Sequence, residues 1–260
     1  MNIITCIKQV PGSSEVQIDP VTGVLIRDGS NCKMNPYDLY AIETALRMKE
    51  QNGAHIASIT MGPPSALSVL QESLWMGCDQ AALLTDRQFA GADVVATAYT
   101  LSQGIKKIGP FDLIICGKQT TDGDTAQVGP EIAEYLQIPH IAYVDKIIEI
   151  KEKSIIVSTS MDKTVECWEI QYPCLITVEK GIYTPRLPSY KRSLVCRNEK
   201  ILELTLQNME DTNPAHYGLK GSPTQVERMF PPTKNTEKEI WEGDNLATRM
   251  MNKLQDLKLL

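Results

Sequence analysis

The chain has 260 residues, a length that suits one large domain or one domain with an extension. Hydrophobic residues make up 42% and charged residues 22%, which is ordinary for a soluble globular protein, and the apolar runs are strand-sized rather than membrane-spanning. The net charge of −6, without a basic stripe, leaves nucleic-acid binding without electrostatic support. Residues 1–10 lack the charged start and long apolar run of a signal peptide and read as a strand.

In chain order, Ile3 to Val10 is the first strand. Asp19 to Arg27, with Pro20 and Gly23, is a loop or small hairpin. Asp38 to Glu50 places Leu39, Ile42 and Leu46 on one helical face. His55 to Thr60 is a strand that stops at Met61-Gly62-Pro63-Pro64. Ser65 to Trp75 is helical, Gln80 to Leu84 a short strand, and Asp93 to Lys106 helical again, with Val94, Ala98, Leu101 and Ile105 aligned. Phe111 to Ile115 is a buried strand, followed by a helix after Asp124. This alternation predicts an α/β fold with a mainly parallel sheet and right-handed crossovers. Tyr143 to Ile150, Ser154 to Ser160 and Thr164 to Gln171 read as antiparallel strands near one edge, and Leu175 to Val178 as one more strand.

After Gly181 the periodicity fades and prolines punctuate the chain, which reads as an arm lying on another protein. Glu237 to Leu260 returns to helix, with Leu246, Met250, Leu254 and Leu257 on one stripe. That stripe needs a surface to cover, either on this chain or on a partner.

Seven cysteines, at 6, 32, 78, 116, 167, 174 and 196, include no C-x-x-C pair. This argues against a disulfide framework and an iron–sulfur site, and reduced thiols fit a cytoplasmic protein. Cys116 reads as a small core residue. His55, His140 and His216 lack zinc-site spacing, so no metal is expected. Phosphate-loop, dinucleotide-fingerprint and hydrolase motifs are absent, and no nucleophile stands beside a base. No catalytic residue is assigned. The expected role is to hold a group that carries its own chemistry, as a flavin does.

The stretch from Cys116 to Glu131 contains the most specific signal. It joins the carboxyl end of a strand to the start of a helix, where open α/β sheets bind ligands. A helix amino-terminus there offers free N–H groups and a positive dipole end to a phosphate. Asp124 or Thr125 is the expected N-cap.

This loop resembles the signature of the electron transfer flavoprotein beta subunit, in which a Gly-Lys-Gln strand end precedes an Asp-rich, Gln-containing turn. Five further elements are similar: Lys8-Gln9-Val10-Pro11, Lys33-Met34-Asn35-Pro36-Tyr37-Asp38, Met61-Gly62-Pro63, Met76-Gly77-Cys78-Asp79, and Pro185-Arg186-Leu187-Pro188-Ser189-Tyr190. They run in family order. After Tyr190 the lysine-rich run common in the family is replaced by Lys191-Arg192-Ser193-Leu194-Val195.

The resemblance implies a Rossmann-like sheet of the adenine-nucleotide-binding type. Residues 1–181 would form the nucleotide- or flavin-binding domain, and residues 182–260 an arm and C-terminal helix embracing an alpha subunit. It places the backbone at Cys6 near the adenine and Met61 along the nucleotide. Lys8 meets a phosphate, pairs with a carboxylate or stays an exposed strand-end lysine. Asn35 meets a base or ribose edge, or caps the helix near Asp38. Tyr37 stacks on a ring or packs in the core. Gly117 and the run Thr120, Thr121, Asp122, Gly123, Asp124, Thr125, Ala126, Gln127, Val128 and Gly129 supply amides, hydroxyls and close backbone approach. Asp93 and Thr97 contact flavin ribityl or nicotinamide groups, or serve as an N-cap and a helix-face threonine.

The family has two forms. In the housekeeping form the beta subunit holds structural AMP and carries electrons from acyl-CoA-type dehydrogenases. In the bifurcating form it binds FAD, takes hydride from NADH (the NAD-linked reaction), and splits electrons between ferredoxin and an alpha-subunit FAD serving a partner flavin dehydrogenase. Asp122-Gly123-Asp124-Thr125-Ala126-Gln127 resembles the bifurcating members, and Gly123 and Ala126 leave room for a diphosphate. The expected partner contact lies near Tyr190. A stand-alone nucleotide sensor on the same scaffold is the third reading, and an arm counts against it.

Overall fold

The computed structural model describes residues 1–12, 32–196, 200–227 and 238–259. The expected hairpin at Asp19 to Arg27 lies outside them. β1 spans Asn2–Cys6, shorter than the expected strand to Val10. Gln9–Pro11 is instead a separate strand, β2, paired antiparallel with β3 (Cys32–Met34) in its own small sheet. The break has a local cause. The Lys8 N–H is taken by the Asp38 carboxylate at 2.7 Å and its carbonyl by the Asn35 N–H at 2.9 Å. No backbone group of Lys8 is left to extend the parallel ladder.

α1 (Pro36–Asn52) starts two residues before the periodic pattern does, because Pro36 in its first turn needs no N–H partner. It ends at Gly53 in the left-handed region, φ 66°. β4 (His55–Met61), α2 (Leu67–Met76), β5 (Gln80–Leu84), α3 (Val94–Ile108), β6 (Leu113–Gly117) and α4 (Val128–Leu136) follow as alternating strands and helices. Then come β7 (His140–Ile150), β8 (Ser154–Ser160), β9 (Val165–Gln171), β10 (Cys174–Val178), the short α5 (Tyr190–Val195), β11 (Leu202–Leu204) and α6 (Gly218–Gly221). β7 begins three residues before the expected Tyr143, because His140 and Ile141 pair with β10 before Val144 onward pairs with β8.

Nine strands form one sheet in the order β11-β5-β4-β1-β6-β10-β7-β8-β9. All pairings from β11 to β7 are parallel, and β7-β8 and β8-β9 are antiparallel. The central strands are apolar on both faces because helices cover both. Ile3, Ile56, Ile115 and Ile176 face α1 and α2, while Ile4, Ile59, Ile114 and Leu175 face α3 and α4. The fold is a Rossmann-like α/β one. Strand order reverses around β1: the chain moves outward to β4 and β5, and β6 inserts on the other side. α1 and α4 leave opposite faces at this point, which opens a crevice at the carboxyl ends of β1 and β6.

Part of the expected arm covers its own sheet. β11 adds in parallel to β5, and Tyr217 is 1% exposed, packed on Phe89 and Tyr99 with ring centroids 5.4 Å away in each case. The Asp211 carboxylate accepts hydrogen bonds from the Tyr99 hydroxyl and the His216 ring. The first compact unit is Met1–Val226, so the expected boundary after residue 181 falls inside it. The second unit, Glu227–Leu260, contains α7 (Leu246–Asp256). This helix is shorter than the expected span from Glu237, because Gly243 (φ 99°) and Asn245 (φ 66°) hold the chain out of helical geometry. Leu246, Met250 and Leu257 of its apolar stripe are exposed and Leu254 is half-buried. Among the described residues no helix is long and apolar enough to cross a membrane.

α3 lies against the sheet through Gly104, where a Cβ would come within 2.7 Å of both Leu84 methyls and 3.0 Å of Ile59 Cδ1. Replacing Gly104 with Val forces α3 away from β4 and β5. The expected loss is about 1–3 kcal/mol in urea unfolding, with the fold retained.

Candidate functional site

The crevice is assembled from the end of β1, the first turn of α1 and the β6–α4 loop. Cys6 and Cys116 are direct neighbours across β1 and β6, and both are buried on the crevice floor. Hydrogen bonding between the two sulfurs, then burial, pushes the Cys116 thiol well above its usual range. Both side chains belong to the core, as expected for Cys116. Met61 ends β4 half-buried, and Tyr37 is half-buried in the first turn of α1.

Gly117 ends β6 where α1 comes closest. A Cβ there would lie 2.5 Å from Asp38 Oδ1 and 2.7 Å from the Tyr37 carbonyl carbon. Only a glycine permits that approach. Lys118 next donates to Glu179 at 2.6 Å, and its ammonium lies 4.8 Å from the centre of the Tyr143 ring. The hydrogen bond to the Glu179 carboxylate holds the Lys118 ammonium above its usual range.

Asn35 is fully buried and does not cap α1 with its side chain. Its Nδ2 donates to the Gln119 carbonyl at 2.9 Å, and its Oδ1 accepts the Thr121 N–H at 3.2 Å. Asn35 therefore ties the loop to the helix start. Lys8 adds a second tie, with Nζ 2.8 Å from both oxygens of Asp122. Of the roles considered for Lys8, the structure realises carboxylate pairing. Burial pushes the Asp122 carboxyl up, but the Lys8 hydrogen bond and charge outweigh it and hold it below the usual range. With side chains 43% and 32% exposed, this pair contributes little to stability by itself, and its consequence is geometric.

The loop then takes an uncommon path. Asp124 and Ala126 both adopt φ of 56°, the left-handed region that non-glycine residues rarely enter. Gly123 and Gly129, expected to allow close backbone approach, do not adopt this left-handed geometry. Gly123 lies on an ordinary path with its Cβ position 3.3 Å from Thr120 Oγ1. Gly129 lets α4 approach the sheet, since a Cβ would lie 2.6 Å from Thr177 Cγ2. Local bonds fix the strained turn. The Asp124 N–H donates to the Thr120 carbonyl at 2.9 Å, and the Gln119 amide donates to Asp124 Oδ1. Such clustered strain is a mark of functional loops.

α4 begins at Val128, so the expected N-cap at Asp124 or Thr125 is corrected to Gln127, which caps without its side chain. The Asp124 carboxylate is occupied by Gln119 instead. Among the described residues, the amides of Gly123, Thr125, Ala126, Gln127, Val128 and Gly129 meet no protein acceptor. Thr121, Asp122, Gly123, Asp124, Thr125 and Gln127 are exposed, and Thr120, Ala126 and Val128 half-buried. A turn of free amides running into a helix start suits an anion.

Asp93 and Thr97 stand apart from this knot. Asp93 caps α3, accepting the Ala96 N–H at 3.1 Å, and its other oxygen accepts from the Thr224 N–H and hydroxyl at 3.0 and 2.8 Å. Burial raises its carboxyl, but these hydrogen bonds outweigh that and hold it below the usual range. Thr97 is half-buried, its N–H bonded to the Asp93 carbonyl. Asp93 also faces Glu131 of α4, whose carboxyl is pushed up by burial and then by that charge. The Asp93 carboxylate is thus already engaged by Ala96 and Thr224.

Two residues that organise the site lie within the quoted elements but had no ligand or structural role assigned: Asp38, which is 5% exposed, and Gln119. The Asp-after-Pro-Tyr position was visible, but only as the start of a helix. Burial pushes the Asp38 carboxyl up to about 7, against hydrogen bonds from Asn35 and the Lys8 and Gly117 amides and the Lys8 charge.

A Rossmann-like sheet with this amide-rich loop at its switch point defines a class of α/β binding subunits. Residues 22–200 match the electron transfer flavoprotein domain family. The chain is 45% identical over 228 residues to the electron transfer flavoprotein subunit beta of Clostridium acetobutylicum, covering 88% of this chain and 87% of that one. It is 43% identical to the subunit of the same name from Thermoanaerobacterium thermosaccharolyticum, covering 99% and 98%. It is 42% identical to the caffeyl-CoA reductase-Etf complex subunit CarD of Acetobacterium woodii, covering both chains in full. The chain belongs to the electron transfer flavoprotein beta-subunit family, and its role is electron transfer.

Replacing Gly117 with Ala drives a methyl into Asp38 and the Tyr37 backbone. The expected outcome is a loss of about 1–3 kcal/mol in denaturant unfolding and faster hydrogen exchange at the Thr121 amide.

Proposed function

We propose that this chain is the beta subunit of a cytoplasmic, bifurcating electron transfer flavoprotein, with FAD in the β1/β6 crevice and NADH as the hydride donor. Ferredoxin and, through an alpha-subunit FAD, a partner flavin dehydrogenase are the electron acceptors. The observation that carries this reading is the 120–129 loop: free amides at a helix start, paired left-handed residues, and only Gly123 and Ala126 where bulkier side chains would narrow the turn.

A flavin bound there supplies the one- and two-electron chemistry. This chain's residues hold and orient it. The amides of Thr125 to Gly129 would hold its phosphates, with the Lys8–Asp122 pair as the wall beside them and Cys6 and Met61 as the floor. Asp93 and Thr97, at the start of α3, would contact the second nucleotide. In the housekeeping alternative the same cradle holds AMP, and the chain is a carrier alone.

The face around Tyr190 supports the partner reading. Leu187 is 88% exposed and Tyr190 79%, yet the backbone beneath them is firmly held. Arg186 binds the buried Glu43 carboxylate at 2.8 and 3.0 Å, and Arg192 donates to the Leu74 and Cys78 carbonyls at 2.8 and 2.9 Å. A rigid exposed apolar face fits a docking surface.

Acid release of nucleotides from the native complex tests the central claim. Two FAD and no AMP per heterodimer are expected, and one FAD with one AMP identifies the carrier form. Leu187→Asp is expected to slow electron transfer to the dehydrogenase on the order of tenfold while leaving nucleotide content unchanged. Stopped-flow reduction of the partner reads the rate.

A further inference from the structure

Asp38 stands where three elements meet. Its carboxylate accepts the Lys8 N–H after β1 at 2.7 Å and lies against Gly117 at the end of β6 and Asn35 ahead of α1, both of which favour its ionised form. Each route leads one residue further to the loop. Asn35 holds the Gln119 carbonyl and the Thr121 N–H, and Lys8 holds Asp122. Asp38 itself is enclosed and reaches no loop residue beyond Gly117.

We propose that Asp38 is a positioning residue for nucleotide retention, which sets residues 119–122 through Asn35 and Lys8 without touching the nucleotide. This rests on the reading that the crevice holds an adenine nucleotide. The titratable groups facing Asp38 are the Lys8 ammonium beyond β1 and the Cys116 thiol on β6, itself bonded to Cys6 on β1. From just ahead of its own helix comes the uncharged Asn35 amide.

The hydrogen bonds are all donated to the carboxylate, so they are strongest when it is ionised. Burial places that ionisation at about 7. Loop order and nucleotide affinity therefore rise as pH rises through neutrality. Its stability contribution has the opposite sign. The folded pKa lies above the unfolded one, so the folded chain keeps a proton that the unfolded chain has already released. That contribution is full below the unfolded carboxylate range and is lost as pH rises through about 7. A purely structural carboxylate changes stability with pH and leaves affinity flat.

The test uses the complex with its alpha subunit, freed of the beta-site nucleotide and titrated separately with AMP and with FAD between about pH 6 and pH 8. The wild-type complex is expected to bind several-fold more tightly at the higher pH. Asp38→Asn keeps the shape and removes the charge. It is expected to weaken binding on the order of tenfold at the higher pH and to flatten the profile. Asp38→Asn with wild-type affinity and slope, or a wild-type affinity that is flat or falls with pH, overturns the proposal. Hydrogen exchange at the Thr121 amide in the nucleotide-free wild-type complex gives a reading that needs neither ligand nor variant. Protection rising through neutrality supports the proposal, and constant protection overturns it. Failure of AMP and FAD alike to bind, with Thr121 protection still pH-dependent, instead overturns the nucleotide reading and leaves only the Asp38 control of residues 119–122 standing.

Discussion

The buried carboxylate of Asp38 is the constraint on which the crevice depends. It takes the Lys8 N–H that would otherwise extend β1, and so ends the strand at the floor of the site. It also draws β6 and α1 together so closely that only glycine fits at 117. An enclosed charge is costly unless hydrogen-bonded, and the donors to Asp38 come from the elements that must meet there. The group is thereby both a penalty on folding and a specification of how three elements join.

Around this junction the sheet sets distances and the loop sets chemistry. Parallel strands with helices on both faces bring Cys6, Met61 and Gly117 to one edge, although they lie far apart in sequence. The loop beyond Gly117 is held at Gln119, Thr121 and Asp122, then released into a strained turn with free amides. Tethering at one end and exposure at the other suit a cradle that must keep its shape while presenting backbone to a ligand.

The later part of the chain divides between the two compact units. Leu204, Met209 and Tyr217 bury themselves against β5 and α3, so the segment after Lys200 completes this unit's own core. The buried Glu43 carboxylate pins Arg186 and so fixes the backbone beneath an exposed apolar face. The apolar stripe of α7 belongs to the second unit and is exposed there.

Local pattern in the sequence was enough for the α/β alternation, because apolar spacing and the stop at Met61-Gly62-Pro63-Pro64 act within a few residues. It was also enough to mark Cys116 to Glu131 as the loop of interest and Asn35, Lys8 and Asp122 as residues of note. Their partners were not legible, since each bond joins positions separated by 84 residues or more in the case of Asn35 with Gln119 and Lys8 with Asp122. The end of β1 at Cys6, the burial of Asp38 and the packing role of Gly129 were decided by tertiary structure alone. Each depends on which distant backbone arrives beside it, and a chain read in order carries no signal of that arrival.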